Sequence, residues 1–265
     1  MLYPKIKISA VSYMNTLPFL YGIKHSGFLD NYKFMLDYPA ICAKKLIDNE
    51  VDIALIPVAS IPKVNSPKII SDYCIGSFKE VKSVLLLSDV PLEKIKTILL
   101  DYQSQTSIHL VQLLALKYWH INPKWTPAEK DFENTISGET AGVVIGDRTF
   151  ALHNKHPYVY DLSLEWYKFT GFPFVFAAWV ANKNIPSAFI EKLNKALEYG
   201  VKHLDEVVVE FKLLKPDTDV DLYDYLKNNL DYRFDEDKRK SLDLFYKYLA
   251  EMKLINKEDT ERIRF

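Results

Sequence analysis

Short apolar runs alternate with helical patterns along most of this 265-residue chain. Runs rich in β-branched residues predict strands at residues 6–11, 51–58, 83–87, 97–100, 141–146 and 174–181. Helical spacing of apolar residues predicts helices at 41–49 and 107–119, the second with one stripe of leucines. Strands that alternate with helices favour sheets of mostly parallel strands covered by helices, so the sequence predicts an α/β fold.

The last third of the chain predicts helices. Three amphipathic helices are predicted there, and the first follows Pro186 and Ser187. Each is marked by a set of apolar residues with helical spacing: Ile190, Leu193, Leu197 and Leu204 for the first; Leu222, Leu226 and Leu230 for the second; Leu242, Phe245, Tyr246, Leu249 and Met252 for the third. No Gly/Ser tether separates two halves. We therefore expect interleaved lobes, in which the chain crosses to a second lobe and later returns.

The charge pattern excludes several classes of partner. The formal net charge is −1 and no block of basic residues occurs, whereas nucleic acid and anionic membranes call for a concentrated basic surface. No stretch is long and apolar enough to span a membrane, and the N-terminal residues lack the apolar core of a signal peptide. We expect a cytoplasmic protein in which Cys42 and Cys74 are reduced, buried thiols.

The motifs of common cofactor and metal sites do not occur in the sequence. None of the eight glycines forms a G-x-G-x-x-G or a Walker loop, and H-E-x-x-H, paired C-x-x-C and G-x-S-x-G are missing too. We therefore predict no metal and no organic cofactor. The residues alone indicate an α/β protein that binds a small molecule, and they leave the oligomeric state open.

Six sequence blocks over residues 11–176 resemble one enzyme family. The first, VSYMNTLPF at residues 11–19, is similar to the V-S-Y-x-N-T-x-P opening of the chorismate dehydratases of menaquinone biosynthesis, the first enzymes of the futalosine route. The others match in order: DIALIP (52–57), IGS with VKSV (75–84), LD with SQTS (100–107), IGD (145–147), and YDL, W and TGFPFVF (160–176). The opening of a sister enzyme of the route, dihydroxynaphthoate synthase, resembles the motif Ser-Pro-Cys-Pro-Asn-Asp. This chain lacks that motif, so the resemblance favours the dehydratases.

The resemblance implies a type II periplasmic-binding-protein fold, with two α/β lobes of mixed, mostly parallel sheets, two crossover strands that join the lobes, and a small-molecule site in the cleft. We expect residues 1–87 and 175–265 to form the first lobe and residues 88–174 the inserted lobe. The implied reaction is the dehydration of chorismate to 3-[(1-carboxyvinyl)oxy]benzoate. The alternative is a solute-binding protein that delivers a small carboxylate or other anion to a transporter, since such proteins share the fold.

Catalytic residues are implied by two of the matching blocks. Asn15 follows the first strand, and its amide would orient the leaving hydroxyl; the alternative is a turn or N-cap asparagine. Asp147 follows the strand at 141–146 and is a candidate base, or else an N-cap, in which case a carboxylate of the substrate takes the proton. These two residues are the candidates for catalysis.

Substrate-binding residues are implied by the same blocks. Thr106 and Ser107 open a helix, where backbone N–H groups and hydroxyls form an anion site; plain N-capping is the alternative. Ser83 would face the cleft, unless it is an ordinary strand serine. Tyr13, Val84 and Gly146 complete the predicted set. Gln105 stands where the family often has arginine. If that arginine contacts a substrate carboxylate, this chain should bind the ligand with a different affinity; if it faces solvent, nothing changes.

Overall fold

Residues 5–264 are described by a computed structural model, in which two β-sheets are covered by helices. The strands are β1 (Ile6–Val11), β2 (Tyr32–Asp37), β3 (Ile53–Pro57), β4 (Lys68–Ser77), β5 (Val84–Ser88), β6 (Thr97–Leu100), β7 (Lys124–Pro127), β8 (Thr140–Ile145), β9 (Tyr158–Asp161), β10 (Phe174–Ala181) and β11 (Asp231–Arg233). The helices are α1 (Leu17–His25), α2 (Pro39–Ile47), α3 (Gln105–Lys117), α4 (Leu162–Thr170), α5 (Ser187–Lys202), α6 (Leu204–Leu214), α7 (Leu222–Asp224), α8 (Glu236–Glu251) and α9 (Lys257–Glu261). The predicted α/β class is confirmed.

The first sheet has the strand order β11-β4-β10-β3-β1-β2. Strand β1 runs parallel to β2 and β3, while β10 runs antiparallel to both β3 and β4. All eight residues of β10 are buried, which explains why this strand reads as a continuous apolar run. The sheet thus combines strands from the beginning of the chain with one strand that arrives much later.

The second sheet has the order β7-β6-β8-β5-β9. Strand β6 runs parallel to β7 and β8, and β5 runs antiparallel to β8 and β9. Both sheets are therefore mixed, and the expectation that parallel pairs predominate is wrong. The reason is that β5 and β10 are the strands that follow the two passages of the chain between the sheets. Each of them runs antiparallel to both of its neighbours.

The chain passes between the two sheets twice, after β4 and after α4. Asp161 fixes the first passage, since its carboxylate accepts hydrogen bonds from the backbone N–H groups of Val81 (2.9 Å) and Lys82 (2.7 Å) while it caps α4. Strand β5 pairs within the second sheet, so the pairing favours placing it with the inserted lobe. We therefore place the first boundary between the lobes before Val84, whereas we expected it after residue 87. The division into two lobes remains our proposal, with the first boundary moved accordingly.

The C-terminal helices follow the apolar spacing except at their ends, and Leu230 of the second set is the C-cap of the turn that continues α7. The first predicted helix ends at Lys202, and Leu204 begins α6 instead of continuing α5. Helix α8 contains four of the five apolar residues of the third set, and Met252 is its C-cap. Within residues 5–264, no helix is both long and apolar enough to cross a bilayer.

Aromatic side chains form the centre of the core where the second passage enters β10. Trp166 is fully buried, its ring lies 5.4 Å from Phe174 and 6.0 Å from Phe245, and its Nε1 donates to Ser241 Oγ at 3.0 Å. The indole nitrogen therefore has a partner inside an apolar cluster. Cys42 and Cys74 are free and buried, as predicted.

Candidate functional site

A cavity lies between the two sheets, next to the ends of β1, β3 and β8. It comprises about 490 Å³ of space between atoms, part of which opens to solvent. Its walls are mostly apolar with a few hydroxyl and amide groups, and they are formed by Val11, Tyr13, Asn15, Thr16, Pro39, Pro57, Ile75, Val81, Ser83, Val84, Ser104, Ser107, Ile145, Gly146, Phe176 and Ala177. None of these residues of the described chain carries a charged side chain.

Six of the eight predicted site residues line this cavity: Tyr13, Asn15, Ser83, Val84, Ser107 and Gly146. They come from four places in the chain, between residues 13 and 146, and the fold brings them together. Thr106 and Asp147 do not line it. Also, no three His, Cys, Asp or Glu side chains within residues 5–264 gather in a way that could hold a metal ion.

Asn15 lies in a single 3-10 turn, Met14–Thr16, between β1 and α1. Its side-chain oxygen accepts a hydrogen bond from Thr16 Oγ1 at 3.0 Å, and its backbone carbonyl accepts one from the Tyr232 hydroxyl at 3.2 Å. The N-cap position of α1 is Thr16, and no side chain caps that helix. The amide of Asn15 therefore caps nothing and lies at the cavity wall.

Ser83 is held between backbone and side-chain partners just before β5. Its carbonyl accepts a hydrogen bond from the N–H of Gly146 at 2.9 Å, and its hydroxyl accepts one from the Tyr225 hydroxyl at 2.8 Å. The side chain of Asn15 is a second hydrogen-bond partner of Tyr225. Burial raises the pKa of Tyr225 well above its ordinary value, so this phenol keeps its proton.

Tyr225 is a residue that the sequence analysis missed. It begins a π-helical turn, Tyr225–Asn229, that continues α7. The leucine spacing of this region predicts a helix, and it says nothing about the phenol between the leucines. A buried tyrosine that needs a partner for its hydroxyl is a weak signal, and the partner lies 142 residues away in the chain.

The N-terminus of α3 differs from the prediction in its first residue. The helix begins at Gln105, and its N-cap is Ser104, whose hydroxyl accepts from the backbone N–H of Ser107 at 3.4 Å. Ser104 and Ser107 both line the cavity, whereas Gln105 does not. The partial positive charge of a helix N-terminus and two hydroxyls therefore meet at one wall.

Thr106 points away from the cavity, contrary to the prediction. Its fully buried hydroxyl accepts from the N–H of Ala59 and donates to the carbonyl of Phe176, both at 3.2 Å. Neighbouring residues of a helix face different directions, and here Ser107 lines the cavity while Thr106 does not. Thr106 instead joins α3 to the first sheet.

Tyr13 and Gly146 contact each other across the cavity. Gly146 has a φ of +71°, and a Cβ there would lie 2.8 Å from Tyr13 Cζ, so both conformation and space require glycine. The Tyr13 hydroxyl donates to Gln103 Oε1, and the Gln103 carbonyl accepts from the N–H of Ala40 at 3.2 Å. Burial, and next the charge of Asp101, raises the pKa of Tyr13.

Asp147 links the two sides of the cavity from behind its wall. One carboxylate oxygen accepts from the backbone N–H of Met14 at 3.0 Å, and the residue lines a neighbouring cavity together with Phe150 and Tyr225. Burial raises the pKa of Asp147, and the bond from Met14 opposes that shift. No side chain caps the short 3-10 helix that contains Asp147, so the N-cap alternative does not hold.

Comparisons with known proteins show which family the chain resembles over most of its length. The chain matches the family described as "Menaquinone biosynthesis" over residues 6–251. A protein of Thermus thermophilus named chorismate dehydratase is 26% identical over 215 residues, which cover 74% of this chain and 77% of that protein.

Solved structures show the fold alone, because their sequences are distant. Protein AF1704 of Archaeoglobus fulgidus has a TM-score of 0.73 at 12% identity and covers 95% of this chain and 98% of its own. The Candida albicans CA3427 product, described as having the generic periplasmic binding protein fold, has a TM-score of 0.66 at 13% identity, with coverages of 99% and 96%. The predicted fold is thus confirmed, and the match over residues 6–251 shows that the chain belongs to the menaquinone biosynthesis family.

Proposed function

We propose that this protein is a cytoplasmic carbon–oxygen lyase that dehydrates chorismate to 3-[(1-carboxyvinyl)oxy]benzoate, in the futalosine route to menaquinone. One observation carries the proposal. Asn15, Ser83 and Ser107, which lie in three separate blocks that resemble the chorismate dehydratases, line a single cavity in a chain of the menaquinone biosynthesis family. The relative from Thermus thermophilus bears the name of the same activity.

The cavity offers neutral donors to a doubly charged substrate. Chorismate carries a ring carboxylate, an enolpyruvyl carboxylate and a ring hydroxyl. Ser104 and Ser107 lie at the N-terminus of α3, where the helix dipole favours a negative group, and we assign one carboxylate to this wall. Asn15 and Ser83 lie on other parts of the wall, and we assign the leaving hydroxyl to them.

The proposed reaction removes a proton and a hydroxyl from neighbouring ring carbons. The carbon that bears the ether loses its proton, the C–O bond of the next carbon breaks, and the hydroxyl leaves as water. The ring becomes aromatic, which supplies the driving force, so the reaction needs no metal or organic cofactor. What the protein supplies is orientation of the hydroxyl and a fixed position for both carboxylates.

The position of Asp147 favours a substrate carboxylate as the base. Asp147 does not line the cavity, and one of its oxygens is bonded to the N–H of Met14. A protein base has to come within hydrogen-bonding reach of the proton that it removes. We therefore assign Asp147 the task of holding the Tyr13–Asn15 segment in place, and the enolpyruvyl carboxylate that of taking the proton.

Incubation with chorismate tests the proposal. The purified protein should convert chorismate to an aromatic product that is lighter by one water, measured by mass spectrometry and by the ultraviolet spectrum. Asn15→Ala is the matched control and should lose most of the turnover. If the protein binds chorismate by calorimetry and leaves it unchanged, the proposal is wrong and the solute-binding alternative takes its place.

A further inference from the structure

The hydroxyl of Tyr225 lies between the side chains of two cavity residues. Tyr225 is 2% exposed, donates to Ser83 Oγ at 2.8 Å and has the Asn15 side chain as a second partner. Its ring packs edge-on against Phe150, with 4.9 Å between the ring centres. The phenol does not line the cavity but is a hydrogen-bond partner of two residues that do, Asn15 and Ser83.

The hydrogen bond from Tyr225 determines what Ser83 can do. A serine hydroxyl has one proton and can accept from another donor. Since Tyr225 donates to Ser83 Oγ, the Ser83 proton is free to point elsewhere, and Ser83 lines the cavity. The bond thus makes Ser83 a donor toward a ligand.

The orientation of the Asn15 amide follows from its partners in the same way. Asn15 Oδ1 accepts from Thr16 Oγ1, and the single proton of the Tyr225 hydroxyl is directed at Ser83 Oγ, so the Asn15 amide donates the hydrogen bond that it shares with Tyr225. One amide N–H therefore serves Tyr225, and the other remains for the cavity. Both polar groups then present N–H or O–H to the ligand.

We propose that Tyr225 is a positioning residue that fixes Asn15 and Ser83 as hydrogen-bond donors to the leaving hydroxyl and its neighbouring carboxylate. The proposal rests on the proposed dehydration. It matters because none of the cavity residues of the described chain is charged, so the direction of each neutral donor determines how well an anion is held.

Tyr225→Phe tests this inference, because it keeps the ring and removes only the hydroxyl. We expect kcat on chorismate to fall by about 10- to 100-fold with a smaller change in KM, as when a donor is misaligned in the transition state. Tyr246→Phe is the matched control, since Tyr246 is buried and its hydroxyl donates to the carbonyl of Val58 at 2.8 Å, away from the cavity. Tyr246→Phe should keep kcat within about threefold of wild type, even if its free energy of unfolding falls as much as that of Tyr225→Phe.

A double-mutant cycle and a crystal structure separate positioning from folding. In a Ser83→Ala background, Tyr225→Phe should cost a smaller fold-change in kcat than in wild type, because part of its effect passes through Ser83. In ligand-free crystals of Tyr225→Phe, Asn15 or Ser83 should adopt a different rotamer. Unchanged rotamers together with near-wild-type kcat would overturn the inference. If wild type leaves chorismate unchanged, the proposed function fails, and the rotamers alone decide the role of Tyr225.

Discussion

Thr106 and Ser107 are adjacent hydroxyl residues with opposite surroundings, so replacing each should affect a different property. Thr106→Val keeps the shape of the side chain and removes its oxygen. The N–H of Ala59 and the carbonyl of Phe176 would each lose a partner at 3.2 Å inside the protein. A buried group left without a partner costs about 1–3 kcal/mol, so the two together should lower the free energy of unfolding by about 2–6 kcal/mol.

Urea denaturation followed by circular dichroism measures this loss. With a slope of about 1–3 kcal/mol per molar urea, the midpoint should shift downward by about 1 M or more at an unchanged slope. Ser107→Ala is the comparison, since the Ser107 hydroxyl bonds only to Ser104 Oγ, at 3.3 Å, and the backbone N–H of Ser107 keeps its cap. Its unfolding midpoint should stay close to that of wild type.

For substrate affinity we expect the reverse: Ser107→Ala should have the larger effect and Thr106→Val the smaller. Ser107→Ala should weaken chorismate binding by about 1–3 kcal/mol, the range for a hydrogen bond to a charged group, measured by calorimetry with an inactive Asn15→Ala background. Thr106→Val should bind chorismate as wild type does. A Thr106→Val protein that is as stable as wild type within about 0.5 kcal/mol would refute the structural role that the contacts give Thr106.

Three further changes test other parts of the structure. Asn15→Ala should keep its melting temperature and lose about 100-fold in kcat; a near-normal kcat would make Asn15 a turn residue only. Gly146→Ala should cost about 1–3 kcal/mol of stability and raise KM, since its Cβ would press on Tyr13 at 2.8 Å, and an unchanged urea midpoint would contradict this. Burial lowers the pKa of His109 to about 4, so below pH 6.5 the unfolded chain takes up a proton that the folded protein refuses. The contribution of His109 to the free energy of unfolding should therefore fall by about 2 kcal/mol from pH 7 to pH 5, while the raised pKa of Asp161, about 6, acts in the opposite direction over the same range. The free energy of unfolding of wild type should thus fall by about 2 kcal/mol more than that of His109→Leu between these two pH values.

The fold was predictable where local patterns carry the information. Strand β1 and the turn that follows it are adjacent in sequence, so the apolar alternation and the opening block place Asn15 at the end of a strand. Strand β2 was missed because it is an edge strand, and its residues YKFMLD are half-buried or exposed without a clear alternation.

The site was predictable only in part, for reasons of direction and distance. A helix that begins at Gln105 rather than two residues later moves Thr106 from the cavity wall into the core, and sequence patterns do not determine helix ends to one residue. The contact between Tyr225 and Ser83 joins segments 142 residues apart, and no local pattern encodes it.

The uncharged wall of the cavity has a consequence for selectivity. A pocket lined by lysine or arginine attracts any anion over several ångströms, and dissolved salt screens that attraction. Hydroxyl and amide donors act only over the length of a hydrogen bond. They distinguish anions by the direction of the lone pairs on the anion's oxygens rather than by total charge. The six hydroxyl- or amide-bearing residues of this wall, Tyr13, Asn15, Thr16, Ser83, Ser104 and Ser107, thus suit a protein that discriminates among small carboxylates equally well at low and high ionic strength.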